Sequence, residues 1–224
     1  MRTFLLFVTA AALAVAGEDE AKRLRAATET IAEMMGTSDR AVPQEILDKS
    51  TCAAVIPGMK KAGFIVGGQF GKGFLTCRND DGTGWKSPAA IRIEGGSIGL
   101  QIGGAETDVI LLVKSRRGAE KLMSSKFTLG GDVTAAAGPV GREANAQTDL
   151  QMRAEILSYS RSRGVFAGIS LEGSTLREDA KANEALYGQA RSSKEILTTP
   201  GQTPEVAKPF IAALTKYSGR AGKK

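Results

Sequence analysis

Residues 95–113 read GGSIGLQIGGAETDVILLV, and this stretch decides the fold class. Ile98, Leu100 and Ile102 alternate with Gly99 and Gln101, which predicts an extended segment with one apolar face. Five consecutive apolar residues follow at 109–113, bounded by polar residues on both sides. A run that short fits a strand buried on both faces better than a helix. The two segments are expected to pair through a tight connection at Gly103 and Gly104, where glycine takes positive φ without a Cβ clash. Glycine inside strands normally weakens them, so its density here points to bends, bulges or close approach of another layer. The expected fold is α+β: a strongly curved, glycine-rich antiparallel sheet or partial barrel packed with N- and C-terminal helices.

On the N-terminal side, residues 62–78 read AGFIVGGQFGKGFLTCR and predict a long bent strand, or a hairpin folded near Gly71-Lys72-Gly73. Residues 51–56 form a further strand, stopped by the turn pair Pro57-Gly58. The cluster at 79–84 is a turn that sets Trp85 at the start of the next strand, which continues through 90–94. Residues 41–50 predict a short helix with Pro43 in its first turn. Leu24, Ile31, Met34 and Met35 recur at helical spacing and give a helix over 18–35 with a narrow apolar stripe. Such a basic helix either lies on a membrane surface or packs on its own domain.

On the C-terminal side, Ala119, Leu122 and Met123 predict a short crossing helix. The glycine- and alanine-rich residues 127–141 predict a tightly packed strand. Residues 154–159 and 165–171 read as two more strands, and 179–187 as a helix. A Thr/Pro/Gly linker at 198–203 then leads to a C-terminal helix over 204–217 and a small basic tail.

The first sixteen residues resemble an export leader: Arg2, an apolar stretch at 4–15, and Ala14-Val15-Ala16 before Gly17. The formal net charge is +6, and removal of Arg2 with the leader lowers it by one. That balance favours anionic partners, and export makes phospholipid headgroups better candidates than nucleic acid. Cys52 and Cys77 allow one intramolecular disulfide in an oxidising compartment. The alternative is a pair of small buried side chains in neighbouring strands.

Enzymatic chemistry has little to work with. Gly95-Gly96-Ser97-Ile98-Gly99 matches a nucleophile elbow formally, but the chain contains no histidine to take the serine proton. No metal-ligand pattern is present, and Asn79-Asp80-Asp81-Gly82 serves a hairpin turn more simply than a cation site. The glycines of 67–73, with Lys72, suit either a phosphate cradle or a strand bend. Arg161 and Arg163 share one side of an extended segment, where their planar forks suit bidentate phosphate contact, or else sit in an ordinary exposed turn.

Residues 159–174, YSRSRGVFAGISLEGS, closely resemble the hallmark segment of the SYLF domain family of lipid-binding proteins. So do GGQFGKG at 67–73, WKSP at 85–88, the stretch at 95–113, GGDVTAAAGPVG at 130–141 and NEALYG at 183–188. The resemblance covers about 21–188. It implies a compact α+β domain that binds anionic phospholipid, phosphoinositides in eukaryotic members, assisted by an amphipathic N-terminal helix. Some eukaryotic members also bind actin, alongside an SH3 or FYVE module. Combined with an export leader, the expectation is a cofactor-free, metal-free, non-enzymatic protein peripherally bound to an anionic phospholipid membrane in the periplasm or outside the cell, with actin and nucleic acid set aside. The headgroup candidates are Lys72, Arg142, Arg161 and Arg163 in the matching segments, and Lys22, Arg23 and Arg25 in the region of the N-terminal helix. The expected organisation is a signal peptide at 1–16, a SYLF-like domain at 17–197, and a linker, helix and basic tail at 198–224. The alternatives are an envelope protein that binds a protein or surface polymer, and a carrier that holds an apolar ligand inside the sheet.

Overall fold

The computed structural model describes residues 3–36, 42–63, 66–98, 105–140, 149–162, 165–199 and 201–218. Its strands are β1 (Cys52–Gly63), β2 (Val66–Cys77), β3 (Ala89–Ile98), β4 (Ala105–Val113), β5 (Lys126–Thr128), β6 (Ala135–Ala137), β7 (Ile156–Ser162), β8 (Val165–Gly168) and β9 (Thr175–Glu178). They form one sheet in the order β5-β9-β3-β2-β1-β4-β7-β6, with β8 also on β7. Pairing is antiparallel except between β6 and β7. The helices are α1 (Thr3–Met35), α2 (Gln44–Lys49), α3 (Arg116–Leu122), α4 (Asp149–Arg153), α5 (Ala180–Tyr187), α6 (Ser193–Thr198) and α7 (Lys208–Tyr217).

The sheet curls into a half-barrel because its two ends are tied by a short connection. Strands β5 and β6 lie at opposite ends of the order, yet only residues 129–134 separate them. Leu129 N donates to Ser174 O at one end of that link, and Glu155 N and Ile156 N donate to Thr134 O at the other.

Alternation along each strand then makes two cores. Cys52, Ala54, Ile56, Leu75, Ile91, Ile93, Val109, Leu111 and Val113 point to the concave face. Ala53, Val55, Phe74, Ala90, Ile110, Leu112, Leu157 and Tyr159 point to the other face, against Leu24, Ala27, Ile31 and Met34 of α1 and Phe210 and Leu214 of α7. The run at 109–113 is buried on both faces, as its composition predicts. Phe74 and Phe210 meet with ring centroids 6.0 Å apart at a tilt of 59°, an arrangement worth about 1 kcal/mol beyond area burial.

Three expectations are corrected here. The two halves of 95–113 do not pair with each other: β3 pairs with β2 and β9, and β4 with β1 and β7, so the β1–β2 hairpin sits between them. Gly103 and Gly104 lie outside the described residues. Pro57-Gly58 does not end its strand but forms a bulge inside β1, with a register shift between Ile56 and Met59. Gly58 takes φ +56°, which glycine accepts without strain, and its N–H donates to Asp108 Oδ1 at 2.8 Å. Nor does the chain turn at Gly71-Lys72-Gly73, where β2 runs through unbroken. A Cβ on Gly73 would stand 2.0 Å from Val55 O, and one on Gly71 would stand 2.6 Å from Ile56 Cγ2. Those glycines are therefore required by the bulge leaning on β2, and no phosphate cradle is needed to explain them.

Cys52 and Cys77 are directly opposite in the β1–β2 register and are joined by a disulfide. Beside it Arg78 is buried, stacked 4.2 Å over Trp85, and donates to the carbonyls of Ser50 and Leu47 at the end of α2. Its charge complements the negative end of that helix.

Candidate interaction surface

Helix α1 brings three of the candidate cations to one cleft. Lys22, Arg23 and Arg161 line a space of about 710 Å³ between α1, the Pro57-Gly58 bulge and β4, together with Asp19, Glu29, Glu33 and Asp108. Carboxylates match the cations there. Arg161 donates from Nη2 to Asp108 Oδ2 at 2.7 Å and from Nε at 3.2 Å, and forms a second ion pair with Glu33. Burial lowers the guanidinium's pKa, but hydrogen bonding and charge from Asp108, then Glu33, outweigh it and raise the value overall.

Arg23 forms a close ion pair with Glu20 one turn earlier on α1. Lys22 pairs with Glu18 at 3.3 Å in the exposed i, i+4 arrangement. Arg25 is exposed. Lys72 lies in a separate cleft of about 470 Å³ with Arg23, Arg92 and Asp179, and its Nζ stands 2.7 Å from Asp179 Oδ2. Arg142 and Arg163 lie outside the described residues.

The structure thus joins Lys22, Arg23 and Arg161, sets Lys72 on the far side of Arg23, and ties each of these four to a carboxylate. The Arg23 and Arg161 pairs are largely shielded and the Lys22 pair is exposed, so the carboxylates offset the positive charge that these cations would present to a phosphate. Sequence reasoning missed Arg92. It occupies a polar position in the alternating run Ala-Ile-Arg-Ile-Glu, a signal that gives its face but not its cross-strand neighbours.

The remaining chemistry is sparse. Ser97, the serine of the formal elbow, lies within β3 opposite Gly67, where no strand-to-helix turn exists. Asp81 accepts from Thr83 N and Oγ1 inside the 79–84 turn, which holds its carboxyl below the usual range. Among the described residues no group of three His, Cys, Asp or Glu is placed to hold a metal, and no helix is long and apolar enough to cross a membrane.

Residues 94–217 match the family described as "Ysc84: Las17-binding protein actin regulator". The chain is 34% identical over 180 residues to Protein YSC84 of Saccharomyces cerevisiae, covering 79% of this chain and 38% of that protein. It is 33% identical over 180 residues to LAS seventeen-binding protein 3 of the same yeast, covering 79% and 39%. It is 36% identical over 170 residues to SH3 domain-containing YSC84-like protein 1 of Homo sapiens, covering 75% and 48%. The chain therefore spans about two fifths to one half of the length of these relatives. They overturn two expectations drawn from the leader-like N-terminus. The family's description as an actin regulator, and relatives named for an SH3 domain, run against a periplasmic or extracellular location and against a partner set that excludes actin. That description is of a binding and regulatory protein, not of an enzyme. With a match over more than half of its length and relatives that carry the same name, the chain belongs to the Ysc84 family, the family of the SYLF domain.

Proposed function

We propose that this chain is a non-enzymatic protein-binding domain that associates with actin filaments. The observation that carries the reading is that carboxylates balance the charge of the candidate cations. Lys72 is bonded to Asp179, and Arg161 to Asp108 and Glu33. A surface of interleaved charges over a rigid, doubly covered sheet suits complementary side chains of a protein better than a uniform plane of headgroups. The description of the family as an actin regulator supports the same direction.

Pelleting of the full chain with preformed actin filaments, beside pelleting with phosphatidylserine vesicles, tests this. The expected result is saturable pelleting with filaments and weaker, salt-sensitive pelleting with vesicles. Pelleting with vesicles alone would reverse the reading.

A further inference from the structure

A row of like charges crosses four strands. Lys72 on β2 is opposite Arg92 on β3, Arg92 is opposite Arg177 on β9, and Arg177 is opposite Lys126 on β5. All four lie on the face away from the concave core. Ile91, Ile93, Leu176 and Phe127, their neighbours in sequence, belong to the concave cluster, and Phe74, two residues after Lys72, belongs to the helix-side cluster. With strands about 4.8 Å apart, four successive positions extend across about 14 Å.

Like charges directly opposite in a sheet are destabilising. Two members are relieved: Lys72 by Asp179, and Arg177 by an ion pair with Glu94. Among the described residues Arg92 and Lys126 form no ion pair, and Arg92 Nε is buried without a hydrogen-bond partner. Folding is not helped by this arrangement, which makes it a candidate for function.

We propose that the row Lys72-Arg92-Arg177-Lys126 is the docking site for an extended acidic segment of a partner protein. This rests on the protein-binding reading above and names the chemistry that would be bound. Carboxylates at alternate positions of a five-residue extended segment span about 13 Å, close to the length of the row. The geometry disfavours a flat anionic surface: Lys72 and Arg92 are recessed in the cleft beside α5, with Asp179, Glu178, Asp19 and Glu20 along its walls. A narrow extended segment can enter that recess, whereas the flat surface of a bilayer would bridge over it. The segment lies across the face and does not extend the sheet, because the outer edge of β5 is already occupied. Thr128 N donates to Asp132 Oδ2 at 2.7 Å, and Ser124 Oγ donates to Lys126 O at 3.1 Å.

The test uses the full chain and a dye-labelled octapeptide of alternating Glu and Ser, followed by fluorescence anisotropy, with alternating Gln and Ser as the neutral probe. The expected results are binding of the Glu peptide only, weakening with added salt, and about tenfold weaker binding by the double variant R92Q/K126Q. The double variant K49Q/K208Q, which removes exposed cations elsewhere, retains wild-type binding. Thermal unfolding of R92Q/K126Q is expected at or above the wild-type midpoint, since a repulsion has been removed, so a loss of binding is not a loss of fold. Equal binding of the two peptides, or equal binding by wild type and R92Q/K126Q, overturns the proposal. So does row-dependent binding to phosphatidylserine vesicles without peptide binding. Filament pelleting separates the two readings. If R92Q/K126Q pellets like wild type, the row is not the contact and the actin reading stands. If wild type binds the peptide but does not pellet, the actin reading fails and the row stands.

Discussion

Arg161 on β7 bridges two carboxylates from different layers, Asp108 of the neighbouring strand β4 and Glu33 of helix α1. Its side chain is 24% exposed and that of Asp108 19%, so the pair is shielded enough to contribute to stability. The link fixes the C-terminal half of α1 to the sheet at the level of the β1 bulge, where Asp108 also accepts from Gly58 N. Replacement by alanine leaves a part-buried carboxylate without its cation, and R161A is expected to lower the unfolding free energy by about 2 kcal/mol in urea denaturation. K22A, which breaks only an exposed pair, is expected to change it by less than about 0.5 kcal/mol.

The close contact between β1 and β2 gives a second prediction. At Gly73 the obstacle to a Cβ is the backbone carbonyl of Val55 at 2.0 Å, which cannot rotate away, whereas nothing lies within 4 Å of a Cβ on Gly96. G73A is expected to destabilise by about 3 kcal/mol or to prevent folding, and G96A to be nearly neutral, as read from thermal unfolding.

Tyr159 supplies a third. It is 1% exposed, its hydroxyl has no hydrogen-bond partner among the described residues, and Gly138 packs against the ring so closely that a Cβ there would fall 2.2 Å from Cζ. An unsatisfied buried hydroxyl costs about 1 kcal/mol or more, so Y159F is expected to raise stability by about that amount in chemical denaturation, while G138A lowers it.

The same residue sets an alkaline limit. Burial raises the pKa of Tyr159, and burial raises that of Tyr187 against the opposing charge of Arg191. In the folded state the phenols stay protonated where the unfolded chain ionises. Their contribution is therefore fully present below the ordinary tyrosine pKa of about 10 and is lost as pH rises beyond it. Denaturation midpoints are expected to fall above that pH, with a shallower fall in Y159F.

The disulfide closes a segment with a sequence separation of 25. Confining the unfolded chain to that extent contributes about 3 kcal/mol by loop-closure entropy. The double variant C52A/C77A is expected to unfold at a lower temperature than the oxidised protein, and a reducing agent is expected to shift only the latter.

The half-barrel was legible because its strands alternate and because 109–113 is apolar at every position, which only a doubly covered strand requires. The order of strands was not. Pairing β4 with β1 across more than forty intervening residues leaves no local mark, and Pro57-Gly58 reads the same whether it ends a strand or bulges it. Among the site residues, Lys72 and Arg161 could be named from type and spacing, but their partners could not. Asp179 stands more than a hundred positions from Lys72, and the pairing of Glu33 with Arg161 depends on how a helix is laid over a sheet. The row through Arg92 and Arg177 was invisible for the same reason, since each residue sits at an ordinary polar position of its own strand.

The most direct measurement is the fraction of the full chain that pellets with rising concentrations of preformed actin filaments at physiological salt. Saturable pelleting at a fixed ratio of chain to actin subunit is predicted, unchanged by competing phosphatidylserine vesicles. A chain that stays in the supernatant with filaments while those vesicles carry it down would contradict the protein-binding reading.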